Sequence, residues 1–397
     1  MIGEARWIGI DSTTPGSVDD VGAELEKSPL AKQATLFNDP RWVAALADGP
    51  DKRSRIYALR RQGELIGLAG FLIHPSEMRL ALGELTLLAR PVRRFNAFAV
   101  PLVDATGDRQ REIANLSALF TLIRADLGPN EVIFLEAVAE GTAMFDLLAK
   151  SPLPIGGFQA LRNGKLYRHR YATVTDSLDG YLKQLGARTR ADLRTNRKRF
   201  TALVGQKYRT RCFRTPAEAR EFLADAAALS RKTYQYRVLG SGLRDEEALR
   251  TRYLAASQLG WFRSYVLYAD ESPIAFQVGA VYRERFYAQE IGYDPEWARH
   301  HVGIFLHSEI IADLAASNGA IKEFDFGNGD NLHKERLSTG SRAEGYFYLI
   351  PSYLGGRLMV AGMRTTNGIS AALGAILGHF GIRKKVRDLL RKLGVMK

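Results

Sequence analysis

Cysteine is almost absent from this chain: Cys212 is the only one in 397 residues. No internal disulfide can form, which fits a reducing compartment. Cys212 follows the basic residues Arg209 and Arg211 and reads as a packing residue. Long apolar runs are also missing. A spanning helix needs about 18 or more apolar residues, and the nearest case, Gly368–Ile382, is short and glycine-rich. The first sixteen positions lack the basic-then-apolar pattern of a secretion signal, so the expectation is a cytosolic protein. No cysteine or paired carboxylate accompanies His300, His301, His307 and His333, so no metal site is expected.

Acid is in deficit. The net charge is +13 and the pI about 9.7. This excess points to an anionic partner: nucleic acid, a phosphate-rich donor, a lipid diphosphate or a membrane surface. It is concentrated in two places. Arg188 to Arg211 holds nine Lys/Arg against Asp192, and Arg383 to Lys397 holds seven against Asp388. With 46% hydrophobic and 25% charged residues, the rest has the balance of a globular protein long enough for two domains.

The second half parses into regular elements. Lys207–Phe213 reads as a strand. Thr215-Pro216-Ala217-Glu218 is a capping box with proline at the first helical position, opening a helix expected to reach about Tyr234. A second helix is expected from Asp245 to Leu259. Three strands follow, Arg263–Tyr268, Ile274–Tyr282 and Phe286–Gly292, separated by turns. Gly303 opens an apolar-periodic helix that ends near Asn318-Gly319. Strand Glu323–Phe326, a short helix near Leu332–Leu337 and strand Glu344–Ile350 complete the order β-α-α-β-β-β-α-β-α-β.

The first half repeats this pattern more faintly. The hairpin Arg55–Leu59 with Leu65–Phe71 aligns with Arg263–Leu267 and Pro273–Gly279 at an offset of 208 positions. A helix near Asp108–Leu127 and a strand Glu131–Glu136 follow in matching order. After the third strand the first copy is read as Arg90-Pro91-Val92-Arg93-Arg94-Phe95, with no glycine opening a helix. The donor is therefore expected in the second copy only.

A strand that feeds a glycine at a helix start makes a cradle of free backbone N–H groups for an anion. Here the cradle is Gly303 with the amides of Val302, Ile304 and Phe305, and His301 or His300 beside it. Asp325, alternating with Phe324 and Phe326, is the first candidate for a general base or acceptor-orienting acid. Glu290 is the second. Lys334 is a third polar candidate, against the plain reading of a solvated helix lysine. Asp330 reads as the cap of the short helix. Arg190, Arg194 and Arg197 share one helix face with Arg188 nearby, and read as an acceptor site for phosphate or as a solvated face. Tyr234 and Gln235 read as acceptor-cleft residues. Ile382–Leu393 reads as a basic amphipathic helix suited to an anionic lipid surface, or as a helix docked on the domain.

Several motifs together carry a resemblance. They are Ser230–Gln235, Pro273–Phe276, Ile291–Pro295, and Phe324–Asp330 leading to Lys334. With the element order, they resemble the GNAT acyltransferase fold. The tandem arrangement resembles the Fem-like proteins, and the second half resembles the CelD/BcsL-type group associated with cellulose and other exopolysaccharides. The resemblance implies mixed α/β architecture: two tandem GNAT-like domains, each a central mixed sheet flanked by helices. The expected boundaries are 1–165, 166–350 and a tail at 351–397.

It further implies an acetyl-CoA or other acyl-CoA donor and an amine or hydroxyl acceptor. That acceptor would be an amino sugar on a nucleotide- or lipid-diphosphate-linked polysaccharide precursor. The enzyme would be cytoplasmic, peripheral on the inner face of the membrane. In Fem-like relatives a lysine at the place of Lys334 polarises the transferred carbonyl or holds an anionic acceptor. The usual GNAT pyrophosphate loop is Arg/Gln-x-x-Gly-x-Gly/Ala. Here Arg299–Phe305 has one glycine, shifted by one, and Phe305 in the last small position. Two other readings remain open: a Fem-like transferase using aminoacyl-tRNA on a peptidoglycan precursor, and a non-catalytic module for an anionic ligand.

Overall fold

The computed structural model describes residues 5–379, apart from 15, 84, 105–106, 129, 151–153, 206, 234–241 and 244–245. The first repeat runs β1 (Arg6–Ile10), α1 (Ser17–Lys27), α2 (Pro40–Ala45), β2 (Arg53–Arg61), β3 (Glu64–Leu82), β4 (Leu85–Ala97), β5 (Leu102–Val103), α3 (Arg109–Asp126), β6 (Glu131–Ala139), α4 (Ala143–Lys150) and β7 (Phe158–Thr173). Helices α5 (Leu178–Gln184) and α6 (Ala187–Val204) lead into the second. That repeat runs β8 (Tyr208–Phe213), α7 (Pro216–Ser230), α8 (Glu247–Gln258), β9 (Ser264–Ala269), β10 (Ser272–Tyr282), β11 (Arg285–Tyr293), a 3₁₀ turn (Pro295–His300), α9 (Val302–Ala315), β12 (Glu323–Asp325), α10 (Leu332–Leu337) and β13 (Gly340–Pro351). Helix α11 (Leu354–His379) follows.

The expected element order of the second half is present throughout. The capping box at Thr215 forms in both directions, with Glu218 bonded back to the Thr215 amide. The repeat is visible in the hydrogen-bond register. Tyr57, Ala58 and Leu59 face Ala69, Leu68 and Gly67. Tyr265, Val266 and Leu267 face Gln277, Phe276 and Ala275. Tyr265 lies 208 positions after Tyr57, and each partner shifts equally. Even the bulge repeats: Ile66 is the extra residue of one hairpin and Ile274 of the other. Both repeats also contain a parallel pair around the central helix, β4 with β6 and β11 with β12.

The last strands are exchanged. β6 of the first repeat pairs with β13, and β12 of the second pairs with β7. The compact units are accordingly Met1–Leu166 with Glu344–Lys397, and Tyr167–Ala343. The sequence reading placed 344–350 in the second unit. The pairing of Glu344–Leu349 with Ile133–Ala139 groups that stretch with the first. A second difference concerns Arg90–Phe95. It does not follow the third strand but lies inside it, in β4.

In the first unit, alternation along β6 sends Ile133 and Leu135 to a core under α3 and α4, and Val132 and Phe134 to a core under α11. Met359, Val360 and Met363 of α11 fill that second core, so the helix after β13 is packed on the domain. The stretch 382–393 lies outside the described residues. In the second unit, α5, α6 and α9 cover a core that includes Phe200, Phe286, Phe305 and Phe324. On the α7 side, Phe213, Phe222, Phe262 and Phe276 pack edge to face. No described helix is long and apolar enough to cross a membrane.

Candidate active site

The second unit opens its sheet where the sequence placed its chemistry. β11 and β12 pair only at Arg285–Glu323, Phe286–Phe324 and Tyr287–Asp325. β12 then ends, while β11 continues to Tyr293. The edge of Ala288–Tyr293 that faced β12 is therefore left open. On its other edge β11 carries a bulge: Glu290 pairs with Val278 and Ala288 with Gly279, leaving Gln289 extra.

The chain then turns through Pro295–His300 into α9. His301 adopts a left-handed conformation, φ 51°, and no side chain caps the helix. The expected cradle forms only in part. The amides of Ile304 and Phe305 donate to the His301 carbonyl at 3.0 and 3.1 Å. This leaves the amides of Val302 and Gly303 at the helix end, where the helix dipole favours an anion. A methyl placed on Gly303 would meet Ile291 and Tyr293 at 3.6 Å, an ordinary contact. Packing does not require glycine here, and its lack of a side chain leaves the helix end accessible to a ligand. Phe305 points away. Its buried ring lies 4.2 Å from that of Phe200, so its bulk is spent in the core.

The matching helix end of the first unit is closed. Asp108 caps α3 and accepts from the amides of Gln110 and Arg111. A carboxylate already occupies the place where a phosphate would bind. That is the physical difference between the two copies.

Beside the open end of α9 lies a cavity of about 620 Å³. α6 contributes Asn196 and Arg199, the turn Arg299 and His300, and α10 Leu332 and Arg336, with His301 and His333 also on its wall. Its acid, Asp192, is paired with Arg336 at 2.5 Å. Leu332 is 71% exposed, an apolar surface offered to the cavity.

The predicted arginine face lies elsewhere. Arg190, Arg194 and Arg197 are not on the cavity wall. Arg194 pairs with Asp179, and Arg197 with Glu309, at 2.5 Å each. Arg190 reaches the Lys183 carbonyl. Arg188 is exposed on the first turn of α6. The expectation that only Asp192 balances this stripe is corrected by acids from α5 and α9. Tyr234 and Gln235 lie outside the described residues.

The three polar candidates separate by environment. Asp325 is buried. Its Oδ1 accepts from His169 Nε2 at 2.8 Å and from the Gly327 amide at 2.7 Å, and Arg342 lies 3.6 Å from Oδ2. Burial pushes its pKa up, but the bond from His169 and these neighbours outweigh it and hold the carboxyl below its usual range. It is a fixed anion. Lys334 donates to the carbonyls of Gly327, Asn328 and Gly329 at 3.1, 2.7 and 3.2 Å. An ammonium has three protons, and three acceptors take them, so Lys334 staples the loop after β12. Burial pushes its pKa down. Asp330 does not cap α10. It pairs with Arg170 through both oxygens, and Asn331 is the cap.

Glu290 remains. It is half-buried on the open part of β11. Burial raises its pKa, against a backbone hydrogen bond from Leu243. A carboxylate in that state is a better proton acceptor than an ion-paired one.

His307 is a core residue. It is buried, its Nε2–H donates to Tyr181 Oη at 3.0 Å, and the Tyr181 proton goes to the Leu337 carbonyl. Desolvation drops its pKa to about 3. No group of metal-ligating side chains occurs among the described residues. Sequence reasoning missed His169. Its signal was a histidine between Arg168 and Arg170 in a strand-like stretch.

Residues 187–335 match the family described as acetyltransferase (GNAT) domain. No curated protein matches the chain. The crystal structure of FemX superposes with a TM-score of 0.61 at 13% identity, covering 90% of this chain and 100% of that one. The C-terminal domain of a protein assigned as a lysylphosphatidylglycerol synthetase, from Agrobacterium fabrum, gives 0.52 at 13%, covering 87% and 96%. These similarities are of fold. The matched stretch lies within the second unit and gives that unit the character of a GNAT-type acyltransferase domain.

Proposed function

We propose that the second unit transfers an acyl group, acetyl in the simplest case, from acyl-CoA to an amine. The open end of α9 carries this reading. The amides of Val302 and Gly303 begin a helix whose neighbouring residues His301 and Ile304 line a cavity walled also by Arg199, Arg299, Arg336, His300 and His333, while the matching helix of the first unit is capped by Asp108. The diphosphate of the donor would lie on Val302 and Gly303. Its pantetheine arm would run along the open edge of β11, which brings the thioester near the bulge and Glu290. There the amine nitrogen attacks the thioester carbon and the carbon–sulfur bond breaks. The amine loses a proton to Glu290 and the thiolate leaves. Asp325, Lys334 and His169 hold the loop that forms the far wall.

The acceptor we favour is an amino sugar on a nucleotide- or lipid-diphosphate-linked precursor of an exopolysaccharide. Its support is the basic surface and the likeness of the second half to the CelD/BcsL-type group. The terminal basic stretch would hold the enzyme at the inner membrane surface. A second reading, transfer from aminoacyl-tRNA as in Fem-like proteins, is favoured by the FemX-like fold of the whole chain. The exposed Arg188 and the cations of the cavity serve either donor. Titration with acetyl-CoA and with charged tRNA separates them. Saturable binding of acetyl-CoA supports the first reading; binding of tRNA alone supports the second.

A further inference from the structure

The first unit carries a feature that acyl transfer does not use. β2 pairs with β3 no further than Ile73, and β6 pairs with β4 no further than Arg93. Beyond those points β3 and β4 continue as a two-stranded ribbon to its tip at Leu82 and Leu85. Leu85, Leu87 and Leu88 are 42%, 57% and 53% exposed there. One face of the ribbon is held by α11: Met78 and Val92 pack with Met359, Val360 and Met363. The Gly83 amide donates to Ser370 Oγ at 2.8 Å, which brings α11 to the ribbon tip. α11 exposes Leu354, Leu358 and Ile369 as well.

An apolar ribbon end of this kind is an interaction surface or an aggregation hazard. Charge decides which partner suits it. From Leu354 to the last residue the chain has nine Lys/Arg and a single acid, Asp388. On the ribbon itself Arg79 is paired with Glu77 at 2.9 Å and Arg93 lies 3.9 Å from Glu131, so the excess positive charge comes from Arg90 and from the segment that follows Leu354. A second copy would bring the same positive charge. A bilayer of anionic lipid offers apolar depth for the leucines and phosphate for the cations in one layer.

We propose that the β3–β4 ribbon tip is a membrane wedge. Leu85, Leu87 and Leu88 enter the boundary between headgroups and acyl chains. The wedge is independent of the acyl donor.

The test is flotation of the full chain with phosphatidylcholine vesicles, with and without phosphatidylglycerol. The parent should float with the anionic vesicles and be released by salt. Leu87→Asp with Leu88→Asp should bind at least about tenfold more weakly, with an unchanged melting temperature because both side chains are exposed. Leu87→Asp alone should show a smaller loss. Equal flotation of parent and double variant overturns the wedge and leaves the basic segment as the anchor. Absence of parent binding overturns it as well. Loss of a dimer in light scattering, without vesicle binding, would assign the leucines to a second copy. A drop in melting temperature, without vesicle binding, would assign them to cover by the chain's own last residues.

Discussion

Gly303→Ala separates folding from donor binding. In a helix the Cβ leans toward the N-terminus, so the new methyl points to the side where the Val302 and Gly303 amides are open. The nearest protein atoms are 3.6 Å from it, so the fold accommodates it without a shift. The substitution also removes the conformational freedom of glycine, worth up to about 1 kcal/mol in a helix interior and less near an end. In a unit of this size that raises the melting temperature by about 2–4 °C per kcal/mol at most. Donor affinity should move the other way, falling by about tenfold or more because the phosphate can no longer reach the amides. Calorimetry with acetyl-CoA reads the second effect and thermal melting the first. A variant that is as stable as the parent and binds acetyl-CoA equally well would refute the placement of the diphosphate. A variant that melts well below the parent would show that Gly303 is a packing residue.

Glu290→Gln should keep the fold and acetyl-CoA affinity yet lose kcat by about a hundredfold or more, as expected for a general base; an unchanged kcat removes Glu290 from the chemistry. In the parent, kcat should fall with decreasing pH at a higher point than an ordinary carboxylate would give, since burial raises the pKa of Glu290. Asp325→Asn should instead act on stability, because it strips the charge from a buried carboxylate bonded to His169 and Gly327, a loss of about 3–5 kcal/mol. Urea melts that match the parent would contradict this. His307 binds no proton in the folded state until about pH 3, whereas unfolded histidine binds one near pH 6.5. Its contribution to stability is therefore complete above pH 6.5 and is lost as pH falls toward 3, at up to about 1.4 kcal/mol per pH unit. His307→Phe should flatten that slope in denaturant melts taken across the range. Arg199→Glu with Arg299→Glu should weaken acetyl-CoA binding, while Arg190→Glu with Arg194→Glu should not. The opposite ranking would move the donor site from the cavity to the arginine face.

Local signals were readable wherever neighbours in sequence are neighbours in space. The hairpins, the bulges at Ile66 and Ile274 and the capping box at Thr215 depend on contacts a few residues apart, and the repeat doubles each signal. The start of α9 was readable for the same reason. The exchange of β7 and β13 was not, because strand pairing between distant segments leaves no local pattern. The partners of the polar candidates were unreadable for a similar reason. Asp325 is claimed by His169, 156 positions away, and Arg197 by Glu309 from another helix. Lys334 is spent on three carbonyls of its own loop, a contact that spacing does not reveal. Glu290 differs because burial outweighs its one backbone hydrogen bond, from Leu243, and no ion partner among the described residues fixes it as an anion.

The central claim is that one unit of the two binds the donor, at the open end of α9. The direct measurement is the stoichiometry of acetyl-CoA binding to the whole chain by calorimetry, repeated with Arg299→Glu. The account predicts one equivalent per chain, reduced at least tenfold in affinity by the substitution. Two equivalents, or no binding of any acyl-CoA, would contradict it.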